Sequence, residues 1–119
     1  MPQENVEVVR RAISAYNARD LEALNDLNAP DVEADWSESL GLQQGIYRGR
    51  DEVLAFFREF FDSFQEIEIL AESFIEQDDV VIVPTFSRFV GRQSLETTAR
   101  ATLVFHVRNG QVAHLRLHQ

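Results

Sequence analysis

Between Tyr47 and Phe64 the chain reads YRGRDEVLAFFREFFDSF, and this stretch holds five of the nine phenylalanines. Phe56, Phe57, Phe60, Phe61 and Phe64 recur at steps of 1, 3, 1 and 3, which predicts one broad apolar stripe on a 3.6-residue helix. A helix face that aromatic must lie in a concave apolar surface. A chain of 119 residues is long enough for one domain with one core. The partner this predicts is a single, strongly curved sheet.

The remaining pattern runs helices first, then strands. Val6, Val9, Ile13 and Tyr16 predict a helix from about Glu4 to Ala18. Asp20 is placed to cap a short second helix from Leu21 to about Asn28, which Pro30 stops. Val32, Ala34 and Trp36 alternate with Glu33, Asp35 and Ser37 as a short strand. Ser39 to Gly45 reads as a loop with two glycines, and Gly49 as the permissive backbone position before the aromatic helix. After Phe64 the period becomes two. Ile67, Ile69 and Ala71 alternate with acidic residues, and Gln77-Asp78-Asp79 turns the chain. Val80 to Val90 is a strand in which Pro84 predicts a bulge or an edge position. Gly91-Arg92-Gln93 turns again, and Leu95–Val107 and Gln111–His118 close the domain.

The last hairpin has two candidate registers. A two-residue Asn109-Gly110 turn pairs Leu103 with Arg116 and Phe105 with His114. A three-residue Arg108-Asn109-Gly110 loop pairs Phe105 with Ala113, Leu103 with Leu115 and Ala101 with Leu117. Only the second makes one face wholly apolar, and a one-residue slip exchanges faces. The three-residue loop is therefore the expectation. The opposite face carries Arg100, His106, His114, Arg116 and His118.

A formal charge of −9 and a sequence pI near 4.7 oppose binding to phosphate backbones or anionic membranes. The absence of cysteine removes disulfides, thiolate catalysis and zinc-thiolate sites. No apolar run nears the roughly 20 residues of a membrane span, and MPQENVEV lacks a secretory pattern. A cytoplasmic protein with neither nucleic-acid nor membrane partner is expected.

The order of a helix, a capped helix at ARDLEALNDL, a strand at PDVEADW, a YRG turn, an aromatic helix and long hairpins resembles the SnoaL-like members of the nuclear transport factor 2-like superfamily. The resemblance covers nearly the whole chain. It implies a single domain over residues 1–119 of class α+β, a cone in which a curved mixed sheet wraps the N-terminal helices around a pocket. It also implies homodimers formed through the outer sheet face. Relatives include polyketide cyclases, ketosteroid isomerases, dehydratases, epoxide hydrolases and non-enzymatic binding modules, so fold alone does not assign a reaction.

The catalytic positions of the ketosteroid isomerase pattern fall on Trp36, Ala12 and Leu103, none of which matches. Nearby candidates are Asp35 as a general base, if a bulge turns it inward, Tyr16 at the pocket rim, and Arg88 as an inward cation for a carboxylate or enolate. The implied ligand is a small hydrophobic or ring-shaped molecule. Its expected walls are Tyr16, Trp36, Phe57, Phe61, Ala101, Leu103, Phe105, Leu115 and Leu117. No cofactor is called for, because Gly41, Gly45 and Gly49 fit neither a P-loop nor a dinucleotide fingerprint. No metal is expected either. On a strand, His114 and His118 stand about 13 Å apart, and paired across a dimer axis these histidines would make association pH-sensitive. Three readings remain open: a ligand-binding protein, a cofactor-independent cyclase, isomerase or dehydratase, and a non-enzymatic dimeric interaction module.

Overall fold

The computed structural model describes residues 2–40 and 44–119, so Gly41 of the expected loop lies outside the described residues. Three helices accompany one sheet: α1 Pro2–Asn17, α2 Leu21–Leu27, β1 Asn28–Asp35, β2 Ile46–Arg48, α3 Gly49–Asp62, β3 Phe64–Ala71, β4 Ile75–Gln77, β5 Val80–Gly91, β6 Glu96–Arg108 and β7 Gln111–His118. The strands lie in the order β2-β1-β7-β6-β5-β3, with β4 also on β5. All pairs are antiparallel except β1 with β7. This is the expected α+β architecture, with the sheet curved around the helices and left unclosed. Helices and sheet share one buried core.

Local chemistry sets the helix ends. Arg19 takes a left-handed φ of 56°. Its N–H donates to the Tyr16 carbonyl and that of Asp20 to the Ala15 carbonyl, the paired bonds that close a helix. The Asp20 carboxylate then accepts from the Ala23 N–H at 3.1 Å and caps α2 as predicted. Gly49 opens α3 with φ +83°, a conformation glycine adopts without strain. The helix stops at Asp62, two residues earlier than the phenylalanine stripe implied, and Phe64 becomes the first residue of β3.

Two sequence expectations need correction. Pro84 lies neither on an edge strand nor at a bulge. It pairs with Thr102 in β5, flanked by β6 on one side and by β3 and β4 on the other. Its carbonyl accepts from the Glu72 N–H at 2.8 Å, and N–H and C=O of one residue face the same neighbour. The missing donor therefore falls at the break between β3 and β4.

The final hairpin has the shorter turn. Arg108 pairs with Gln111 across Asn109 and Gly110, whose φ values are 54° and 76°, as a two-residue hairpin turn requires. The register then slips by one between His106 and Val107, so Phe105 pairs with Leu115 and Leu103 with Leu117. A bulge at Ala113, rather than a longer loop, brings the apolar residues to one face.

The stripe of α3 packs chiefly on β1 and β2 and also on β3, and the Tyr16 ring lies against it, 6.0 Å from Phe57 and 5.2 Å from Phe61. The Asn17 side chain ties α1 to the sheet. It donates to the Ile69 carbonyl at 2.9 Å and accepts from the Ile69 N–H at 2.8 Å. Among the described residues, no helix is long and apolar enough to cross a membrane.

Candidate functional site

The inward positions of β5 read Val81, Val83, Thr85, Ser87 and Phe89. Their β6 partners are Phe105, Leu103, Ala101, Ala99 and Thr97. Large pairs fill one end of the sheet, then Thr85 with Ala101 and Ser87 with Ala99 leave room where four small side chains meet. A cavity of about 570 Å³ occupies that place. Tyr16, Trp36, Phe60, Phe64 and Phe89 wall it, with Ile69, Leu103 and Leu117. Ser39, Leu40, Arg100 and Gln119 also line it. A second cavity, of about 40 Å³, lies toward α2 between Phe57, Phe105, Val112 and Leu115.

The polar groups of the larger cavity are mostly hydroxyls. The Thr85 hydroxyl donates to the Ala101 carbonyl at 3.1 Å. Ser87 and Tyr16, exposed by 6 % and 7 %, make no side-chain hydrogen bond among the described residues. Burial pushes the Tyr16 phenol well above its usual range, against a smaller opposing pull from Arg19. Tyr16 is therefore a neutral O–H donor near pH 7, not a base. No carboxylate or histidine is found among the described residues that line the cavity. Arg100, which lines it, is ion-paired with Glu72 at 2.6 Å. The described lining is thus apolar walls with hydroxyls set among them.

The predicted site residues divide accordingly. Tyr16, Trp36, Ala101, Leu103 and Leu117 line the larger cavity, and Phe57, Phe105 and Leu115 the smaller. Phe61 lines neither and is buried against Tyr16 and Phe57. Asp35 does not turn inward. β1 runs in register with β7 from Glu33 to Asp35, so Ala34 and Trp36 take the core side. The Asp35 carboxylate accepts from the Ser37 hydroxyl at 2.6 Å and the Ser37 N–H at 3.0 Å. These bonds, with Arg116 and His114 nearby, hold it below the usual carboxylate range. Arg88 also faces outward and pairs with Glu66 and Glu96 on the strands either side. The expected trio of Asp35, Arg88 and Tyr16 is not brought together.

The outer face differs from expectation in another way. Parallel pairing brings Glu33 beside His114 and Asp35 beside Arg116, while Glu38 meets Arg116 and His118. The two arginines of this face, Arg100 and Arg116, are thus ion-paired within the chain. Among the described residues, no group of three His, Asp or Glu side chains is arranged to hold a metal ion. Sequence reasoning missed Thr85, Ser87 and Ala99. The signal was present in the two-residue period of β5, where inward valines give way to Thr and Ser.

The SnoaL-like domain pattern matches residues 9–115. The chain belongs to the SnoaL-like family. Solved structures of the same fold include an NTF2-like protein of unknown function from Burkholderia pseudomallei, 27 % identical with a TM-score of 0.84 over 97 % of this chain and 89 % of that one. A putative SnoaL-like polyketide cyclase from a Jannaschia species is 20 % identical, with a TM-score of 0.83 over 98 % and 85 %. TerC, co-crystallised with polyporic acid, is 21 % identical, with a TM-score of 0.86 over 96 % and 89 %. For the last two neighbours the likeness is one of fold alone. No curated protein matches the chain.

Proposed function

We propose that this SnoaL-like protein binds a small, uncharged, ring-shaped molecule in the larger cavity. The observation that carries the reading is the floor of small residues, Thr85, Ser87, Ala99 and Ala101, beneath aromatic walls. A flat ring needs such a floor, and the hydroxyls of Ser87 and Tyr16 offer it hydrogen bonds. A carboxylate ligand is disfavoured, since Arg100 is already paired and an unpaired buried charge is costly. Binding without acid–base chemistry is favoured over a cyclase, isomerase or dehydratase, because the lining residues described include no general base.

Calorimetric titration with a panel of naphthols, quinones and cyclic ketones tests this. At least one should bind, and Ala101→Leu should abolish that binding. No heat from any member, or binding undiminished in the variant, would refute the reading.

Homodimerisation through the outer sheet face belongs to the same proposal. Leu70 and Ile75 are 56 % and 50 % exposed there, beside their cross-strand partners Phe86 and Ile82. An apolar patch on a sheet face is a usual mark of an interface. Leu70→Glu should shift a dimer to monomer in sedimentation; an unchanged mass would exclude this face. A cytoplasmic location is proposed with it, since a cysteine-free chain gains no disulfide from an oxidising compartment; cell fractionation checks it.

A further inference from the structure

The two cavities are adjacent in a specific sense: Tyr16, Trp36, Ile69 and Leu103 line both. These four side chains form the partition, so the smaller space is a second chamber behind the first. Its walls are otherwise apolar, with one exception. Asn28 lines it and is only 8 % exposed.

The fold uses only the backbone of Asn28. Its N–H donates to the Asn25 carbonyl at the end of α2, and its φ of −87° and ψ of 137° are ordinary extended values. Its carbonyl accepts from the Arg50 guanidinium at 2.9 and 2.6 Å. Any residue could do the same. The side-chain amide makes no hydrogen bond among the described residues. The amide is not among the fully buried unpartnered groups, so it keeps a little accessible surface where Asn28 lines the chamber, and a guest there can take up its free donor and acceptor. About 40 Å³ is room for a group of a few atoms, since roughly 10–15 Å³ holds one water.

We propose that the two cavities are one site in two compartments, whose ligand is a ring compound bearing a short arm with a hydrogen-bonding tip that reaches Asn28. The inference rests on the ring-binding reading above. The ring lies on the small-residue floor, and the arm passes the partition between Tyr16 and Trp36. Asn28 then selects the tip, because its amide can both donate and accept.

The test compares naphthol, naphthol carrying a hydroxyethyl arm on its distal ring, and the propyl analogue, by titration calorimetry. The hydroxyethyl compound should bind about tenfold more tightly than the propyl one, the scale of one neutral hydrogen bond in a dry site. Asn28→Leu should erase that preference while leaving naphthol affinity within about twofold. Ala12→Val, which narrows the second chamber from α1, should weaken both armed compounds and spare naphthol. If naphthol binds but the armed compounds gain nothing, or if the preference survives in both variants, the two-compartment site is wrong and the ring site stands. If naphthol and its derivatives all fail to bind, the ring-binding reading falls and this inference with it.

Discussion

Ala101→Leu separates an open chamber from a sheet that is merely loosely packed. The substitution adds three carbons at an inward position of β6, opposite Thr85 and beside the cavity. The Thr85 hydroxyl bonds the Ala101 carbonyl, so the change leaves that contact in place. Each newly buried methylene is worth about 0.8 kcal/mol, and ordering a leucine side chain costs about 0.5–1 kcal/mol. If the carbons enter free space, the variant should gain about 1.5 kcal/mol. For a chain of this length that corresponds to a Tm rise of about 6 °C. Urea unfolding followed by the fluorescence of Trp36, the single tryptophan, measures the gain, with an unchanged m-value confirming the same transition. The stabilised variant should also lose ring binding. A loss of about 1 kcal/mol or more, the mark of overpacking, would show that the chamber is closed in solution and would sink the argument.

Phe57→Ala should cost about 3–5 kcal/mol, because Phe57 is buried with rings of Tyr16, Phe56 and Phe61 around it; a smaller loss in urea unfolding would mean the aromatic stack carries little. Asn17→Ala removes both bonds to Ile69 and should cost about 2–3 kcal/mol, with hydrogen exchange rising first in β3; uniform exchange would argue against a local tie. Burial, then the neighbouring His114, hold the His106 imidazole below its ordinary range. The unfolded chain therefore binds that proton more readily, so stability is complete above the ordinary value of about 6.5. It falls as pH drops through that value and levels off below the folded pKa. His106→Gln should flatten this part of the curve between about pH 7.5 and pH 5.5, and an unchanged slope would assign the acid sensitivity elsewhere.

The elements were legible because their signals are local. Asp20 announced a cap, and Gly49 announced a turn with positive φ. The aromatic stripe announced a buried helix, and the alternation after Phe64 announced strands. The apolar face of the last hairpin was legible too, since parity alone separates Leu103, Phe105, Leu115 and Leu117 from Arg116 and His114. What the sequence hid was non-local. The bulge at Ala113 and the two-residue turn give the same facing as a longer loop, so the hydrophobic pattern does not tell them apart. The outward placement of Asp35 follows from regular pairing of β1 with β7, and nothing near Asp35 encodes its distant partner. Arg88 reads as isolated among apolar neighbours until Glu66 and Glu96 arrive from adjacent strands. The walls were half foreseen, from the strands that close the domain. The small-residue floor was not, because only the pairing of β5 with β6 sets Thr85 and Ser87 beside Ala101 and Ala99.

The parallel pairing of β1 with β7 also bears on how the chain reaches this state. Residues near 28–35 meet residues near 112–116, and among the described residues β2 is paired only with β1. The meander from β3 to β6 joins near neighbours in sequence and can form early. The β1–β2 ribbon has no place in the sheet until the last strand exists. Closing so long a loop is entropically slow. During synthesis the β1 side of the phenylalanine face of α3 therefore waits for its place in the sheet until β7 has left the ribosome.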